Sequence, residues 1–474
     1  MNNAAEAPMS DIRTDYALAE PAVPRKSKSA RWLVVFAFFI LAAPKLRATV
    51  GPIPLYFHNV LLFLLLLKAT QMPRIKPLRP LAGLVSLYLF FIYLGELHAI
   101  LIYGSVFEPI YMMGEFTLSL ALFFLVPRVV KDTESVAMVL KALTAGMLCA
   151  SAVTIMYSLP FTRPFVMKTI LSYDFLVPAA ESLARRTLQL AGVDGAARGY
   201  SLLGVSTFTT GVLGIAWGYS FLAAKWPGIY GKWKMLAQLA SIVTPVAILM
   251  TYGRAAWLTV IVISGIALFF GFAGSRRNTL LMLIGLAITV SWVGWDSEAL
   301  MVSRVVNKTN QALENPSEES NLNIRILSYT QPLSHLSDNP LWLFLGTGRS
   351  GSKMRSHGDI GAELRDLAGL SKHSAFAMAY YCYGMIAAIL HVFLILTGLR
   401  FILDRLRKPP PPEMPYYKIT WQAFLLNWIG LLMWWLPGHA VVSDTRGSMH
   451  MFLFYGLMMA CDRIFTEQTD EENQ

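Results

Sequence analysis

Charge is what this sequence has least of. Only 15% of its 474 residues are Asp, Glu, Lys or Arg, against about a quarter in soluble domains. That deficit excludes an ordinary soluble globular protein. Cysteine is scarce as well. Cys149, Cys382 and Cys461 are the three present. All lie in apolar segments at no metal-ligand spacing, so they suggest neither a disulfide framework nor a metal site. GxSxG, HExxH, Walker and Asp-x-Asp signatures are missing too. The chain calls for no metal and no cofactor.

What fills the space is apolar. Hydrophobic residues make up 55% of the chain, and mean hydropathy is +0.50. Apolar runs of about 20 residues, the length a helix needs to cross a bilayer, recur along most of it. They are continuous, whereas a transmembrane β-barrel shows short alternating segments. The expectation is an all-α polytopic membrane protein, because a helix satisfies its own backbone in lipid. About twelve spans can be drawn, at roughly 31–44, 53–68, 81–102, 109–126, 135–158, 200–223, 235–252, 255–273, 278–295, 373–399, 419–437 and 447–462. The first two are short and proline-flanked.

The net charge of +11 is explained by orientation rather than by nucleic acid. Loops on one side read "PRKSKSAR", "KATQMPRIKPLRP", "PRVVKD", "KWPGIYGKWK", "GSRRN" and "LRFILDRLRKPPPP". Every one is basic. The short loops of the other side are poorer in charge, with "PKLR" at 44–47 the exception. The positive-inside rule then puts both termini in the cytoplasm. Residues 1–30 read as a disordered cytoplasmic tail with no cleavable signal peptide. Residues 31–295 hold nine spans, with 159–199 an outer loop between two of them. Residues 296–372 form a large outer cap, 373–462 hold three more spans, and 463–474 return as a cytoplasmic tail.

Several polar residues stand out against this background. From Leu236 to Ala273 the only formal charge is Arg254, with no acid near it in sequence. It falls at a tight turn between two spans, at the outer face. A snorkelling arginine is one reading. The other is an anion site, since Arg254 stands at the positive end of the helix it opens. Arg198, in "AARGYSLLGVSTFTTG", opens another span from the same side. Arg325 lies in the cap, in "NLNIRILSYTQPLSHL", and reads either as a cap-structural arginine or as a ligand. Gly346 and Gly348 belong to "GTGRSG", a formal G-x-G-x-x-G with no βαβ unit around it. It reads as a glycine-rich turn, or as a backbone nest facing a phosphate. His373 stands at the outer mouth of the next span, where an imidazole can take a proton from a hydroxyl. Glu96 and Glu115 lie inside spans, toward the outer half, and are expected to neutralise the arginines unless they act themselves.

The order and sidedness of these pieces resemble the O-antigen ligase/polymerase superfamily of bacterial membrane glycosyltransferases. The matching stretches are "RGYSLLGVSTFTTG" at 198–211, "TYGRAAWLTVIVISGIALFF" at 251–270, and "FLGTGRSGS" with "KHSAFAMAYYCYGMIAAIL" at 344–390. The family pattern has asparagine after the histidine, and here Ser374 follows His373. The resemblance covers about the C-terminal 60% of the chain and implies a GT-C-like fold. It implies a metal-independent reaction on an undecaprenyl-pyrophosphate-linked glycan at the periplasmic face of the inner membrane. An acceptor hydroxyl displaces the lipid pyrophosphate from the anomeric carbon. Arg198 and Arg254 would bind pyrophosphate, Arg325 would assist, and His373 would orient or deprotonate the acceptor. Arginines suit that leaving group on their own chemistry as well. A polymerase of exopolysaccharide or O-antigen is the preferred reading. A ligase acting on lipid A core or another acceptor shares the same donor site. A lipid-linked oligosaccharide transporter is the competing class, although no internal repeat is apparent and the charged sites lie at one face. The partners implied are the glycan donor, a glycan or lipid acceptor, the bilayer, and other polysaccharide export proteins.

Overall fold

A computed structural model describes residues 28–50, 53–72, 79–172, 201–203, 206–251, 254–271, 320–337, 339–349, 374–411, 414–435 and 445–472. Helices dominate them. In chain order these are α1 (Lys28–Ala42), α2 (Phe57–Thr70), α3 (Arg79–Tyr103), α4 (Phe107–Val129), α5 (Thr133–Ser158) and the short α6 (Arg163–Thr169). There follow α7 (Ser206–Lys225), α8 (Lys232–Leu249), α9 (Arg254–Phe269), α10 (Ser320–Ser337) and α11 (Pro340–Leu345). The last are α12 (Ala375–Arg407), α13 (Tyr417–Trp435) and α14 (Thr445–Glu472). Four of them are long and apolar enough to cross a membrane: Leu81–Tyr103 within α3, then α4, α5 and α12. At 1.5 Å per residue a 23-residue helix is about 34 Å long, against a hydrocarbon core of about 30 Å. The expected span at 278–295 and most of the expected cap lie outside the described residues.

One departure from an all-helical chain precedes α2. Strands β1 (Arg47–Val50) and β2 (Ile53–Tyr56) pair antiparallel, with Arg47 opposite Tyr56 and Val50 opposite Ile53. The expected second span at 53–68 therefore begins only at Phe57. The cause is local. Thr49, Val50 and Ile53 are β-branched, and Gly51-Pro52 between them is a turn dipeptide. What remains of the helix is 14 residues, about 21 Å, which is too short to cross alone.

The bundle is held by close backbone approach and aromatic fill, because lipid supplies no hydrophobic force between helices. α13 lies against α7, α14 against α4, α1 against α5, and α12 against α3. The α7–α13 crossing is tight enough that a Cβ on Gly430 would come 2.3 Å from the Gly214 carbonyl oxygen. Elsewhere in the bundle Trp217, Trp226, Trp421 and Tyr455 are fully buried. At the end where α12 finishes, Arg405 ties it to α14. Its Nε lies 2.6 Å from Asp462 Oδ1, and its Nη2 donates to Oδ2 at 2.9 Å. Arg463 Nη2 donates to the Val130 carbonyl at the end of α4 at 2.8 Å. The opposite end, where α3 stops and α4 starts, carries the features below and is called the upper end.

Candidate functional site

The α3–α4 hairpin sets the scale of the upper end. The Tyr93 and Thr117 hydroxyls bond across it, which fixes the register. Glu96 is seven positions before the end of α3, and Glu115 eight positions after the start of α4. Each carboxylate therefore lies about 10–12 Å below the top of the hairpin. Glu96 is 0% exposed and Glu115 6%.

Glu96 faces a break in α12. Gly384 sits at φ 82°, ψ 169° inside that helix. A carbonyl in the turn before a break loses its helical partner and must find another. The Tyr381 carbonyl accepts the Thr347 N–H at 2.9 Å and the Cys382 carbonyl accepts the Gly348 N–H at 2.8 Å. The Thr347 hydroxyl also donates to the Tyr381 carbonyl at 3.1 Å. Gly346 N–H closes α11 on the Trp342 carbonyl at 2.7 Å, and Arg349 N–H donates to Glu96 Oε1 at 2.8 Å. His98 Nδ1 lies 2.6 Å from the Gly346 carbonyl. A carbonyl only accepts, so Nδ1 carries the proton. The four consecutive N–H groups from Gly346 to Arg349 thus all end on protein acceptors. The turn is a dock for the broken helix, and the phosphate-nest reading of Gly346 and Gly348 is corrected accordingly. Glycine is needed because a Cβ on Gly384 would stand 1.8 Å from the Phe344 carbonyl oxygen, and because Gly346 and Gly348 both sit at φ +73°.

Glu115 faces the start of α14. Its carboxylate accepts from Tyr111 Oη at 2.6 Å, Asn59 Nδ2 at 3.2 Å and Thr445 Oγ1 at 3.2 Å. Ser119 Oγ donates to the Thr445 carbonyl at 3.1 Å. Among the described residues these donors are neutral; the side chains of Arg198, Arg254 and Arg325, which the acids are expected to neutralise, lie outside them. The next residue, Arg446, carries its guanidinium 5.1 Å above the Phe208 ring. Phe208 is in the first turn of α7 and packs edge-on against Trp434 at the end of α13. Two residues along α7, the Thr210 and Thr251 hydroxyls meet at 2.7 Å, joining α7 to the end of α8. Ser201 Oγ bonds Thr209 at 2.9 Å and anchors the chain entering α7.

These contacts bring the starts of α7 and α14 and the ends of α8 and α13 to the depth of Glu115. The outer turns of α3 and α4 rise above them as a wall. Among the described residues, the upper end thus gathers several helix termini at one depth. Arg254 opens α9 three residues beyond Thr251; of Arg254 itself the backbone alone is described. Arg325 lies on α10, one turn before Tyr329, whose carbonyl accepts the Tyr380 hydroxyl of α12 at 2.5 Å; its side chain too is outside the described residues. Arg198 and His373 lie outside them altogether. Ser374, which follows His373, is the N-cap of α12, its hydroxyl accepting the Ala377 N–H at 3.3 Å. Among the described residues no three His, Cys, Asp or Glu side chains gather as metal ligands do. Arg349, Arg446 and the break at Gly384 were not singled out in the sequence. The signal for Arg446 was present, since "DTRGS" puts a lone cation at the start of an apolar helix. Compared with known proteins, the chain matches no family model and no curated protein.

Proposed function

We propose that this protein is a bacterial inner-membrane glycosyltransferase that uses a polyprenyl-pyrophosphate-linked glycan as donor. In this reading the bundle has about twelve spans in a GT-C-like arrangement, both termini are cytoplasmic, and the upper end faces the periplasm. The observation that carries it is the meeting of helix termini at the upper end, with Arg254 and Arg446 each in the first turn of its helix. An arginine at that position is unfavourable for its own helix and favourable for a bound anion, which gains both the guanidinium and the helix N–H groups. A lipid pyrophosphate entering from the bilayer would reach these termini with its chain in lipid and its headgroup beside the helix starts. Arg198, Arg254 and Arg325 would neutralise it as it leaves, without a metal. His373, preceding the capped start of α12, would orient or deprotonate the acceptor hydroxyl. Polymerisation of repeat units into exopolysaccharide or O-antigen is the preferred reaction, with ligation to lipid A core the variant.

One observation favours a second reading. A helix broken inside the bundle is a habit of transporters, and α12 is broken. There the freed carbonyls coordinate a substrate or ion, whereas those of Tyr381 and Cys382 are taken up by the 346–348 turn. That favours the transferase. The test is incubation of the purified protein with a lipid-linked repeat unit, with and without lipid A core. A ladder of products from the donor alone is expected of a polymerase. A single adduct that requires the second acceptor marks a ligase, and unchanged donor in both refutes the reading.

A further inference from the structure

We infer that Arg47, on the β1–β2 hairpin, binds the phosphate headgroup of the lipid-linked donor, and that the hairpin lines the donor's way into the bundle beside α2 and α4. The inference rests on the glycosyltransferase reading and on the sidedness given with it.

α2 begins deep. Its third residue, Asn59, donates to Glu115 Oε1 at 3.2 Å, and Glu115 lies about 12 Å along α4 from its start. The hairpin occupies the level above. β2 runs straight into α2, and the Phe57 N–H donates to the Leu46 carbonyl at 2.9 Å, which clamps β1 to the top of the helix. The strand residues of β2 add about 13 Å to the about 21 Å of α2, giving about 34 Å, the length of a full span. The ribbon therefore stands in for the outer turns of a transmembrane helix. Among the described residues each of its two strands pairs on one side only. Unpaired strand edges are tolerated at membrane depth where they line a hydrated cavity or lie against protein.

Arg47 is half-buried and stands across the ladder from Tyr56. Both lie within electrostatic reach of the Tyr111 hydroxyl, which donates to Glu115. Among the described residues no hydrogen bond or ion pair takes up the Arg47 guanidinium. A guanidinium partly withdrawn from water at this depth calls for an anion. The sequence agrees, since "PKLR" at 44–47 is the outer loop that breaks the positive-inside pattern, and orientation does not account for its cations. Below it, Val60, Phe63, Leu64 and Leu67 are exposed along one face of α2. That apolar stripe suits a hydrocarbon chain whose phosphate stands at Arg47, where a guanidinium can hold two of its oxygens. Position favours the donor over other lipids. Tyr111 and Asn59 lead through Glu115 to Thr445, at the start of α14, where the donor is read to react.

The experiment uses the full-length protein in detergent and radiolabelled farnesyl pyrophosphate, a short polyprenyl pyrophosphate, as the binding probe, with glycan transfer assayed in parallel. Arg47→Gln and Arg47→Met nearly keep the length of the side chain and remove its charge. Neither breaks a guanidinium contact among the described residues, so both should fold, which thermal unfolding checks; either variant that folds is sufficient. Each is expected to weaken binding about tenfold or more, as loss of a hydrogen bond to a charged group does. The donor KM should rise alike, with kcat within about twofold of wild type. Arg47→Lys should recover part of the loss. Lys68→Gln, which removes a charge at the other end of α2, should bind as wild type does. A large excess of phosphatidylglycerol should not displace the probe. Wild-type protein that binds and transfers, with Arg47→Gln and Arg47→Met equal to it in binding and KM, overturns this inference alone. A fall in kcat with binding and KM unchanged also overturns it, by making Arg47 a structural residue. Displacement by phosphatidylglycerol makes the site a general phospholipid contact and overturns the donor assignment. Wild-type protein that neither binds nor transfers overturns the glycosyltransferase reading and this inference with it.

Discussion

Ser374 marks where the sequence departs from the resembled family pattern, and the cap it makes accounts for the departure. Serine and asparagine are about equally good N-caps, so either residue can end the loop carrying His373 and start α12. Ser374→Asn is expected to leave thermal stability within about 0.5 kcal/mol, and Ser374→Ala to cost about 0.5–2 kcal/mol; equal losses in both would remove the cap explanation. Arg254 carries the other test at this scale. Its partner is read as a phosphate that the sequence does not encode. Arg254→Lys should lower glycan transfer on the order of 10²-fold, as loss of one charge-stabilising donor does, with normal insertion and yield. Near-wild-type transfer by that variant would leave snorkelling as its role. The intramembrane position of Glu96 and Glu115 was legible, because an acid in an apolar run is conspicuous. Their partners were not, since Arg349 and Thr445 lie hundreds of residues away in sequence.

At the scale of elements, α12 is the lesson. Its sequence reads as one uninterrupted apolar span, and glycine is common in such helices. Nothing local distinguishes Gly384, which breaks the helix, from Gly398, which does not. The break is fixed by long-range pairing, with α11 and the following turn supplying the N–H groups that the opened carbonyls require. The hairpin before α2 escaped for the opposite reason, since its β-forming residues sit inside a run hydrophobic enough to pass for a span. Gly384→Ala should therefore be severe. A non-glycine residue in a positive-φ conformation costs about 1–2 kcal/mol, and the Phe344 carbonyl must move as well. Gly83→Ala is the control, since no atom lies within 4 Å of its added Cβ and alanine is the better helix former by about 1 kcal/mol. Thermal unfolding in detergent should fall for the first and hold or rise for the second. A Gly384→Ala protein as stable as wild type would mean that the break is not required.

For the whole molecule, alternating basic and charge-poor loops give a sidedness. On the proposed sidedness the end that holds Glu96 and Glu115 faces the periplasm. Cysteines introduced between 296 and 372 should react with an impermeant thiol reagent in intact spheroplasts, and one at 74–79 should not; the reverse labelling would turn the upper end to the cytoplasm. The most direct measurement of the central claim is a count of polyprenyl pyrophosphate released by the purified protein in liposomes supplied with a lipid-linked glycan and its acceptor. The account predicts one polyprenyl pyrophosphate released for each glycosidic bond formed. Intact donor that appears on the opposite leaflet, with no pyrophosphate lipid released, would contradict it and make the protein a transporter.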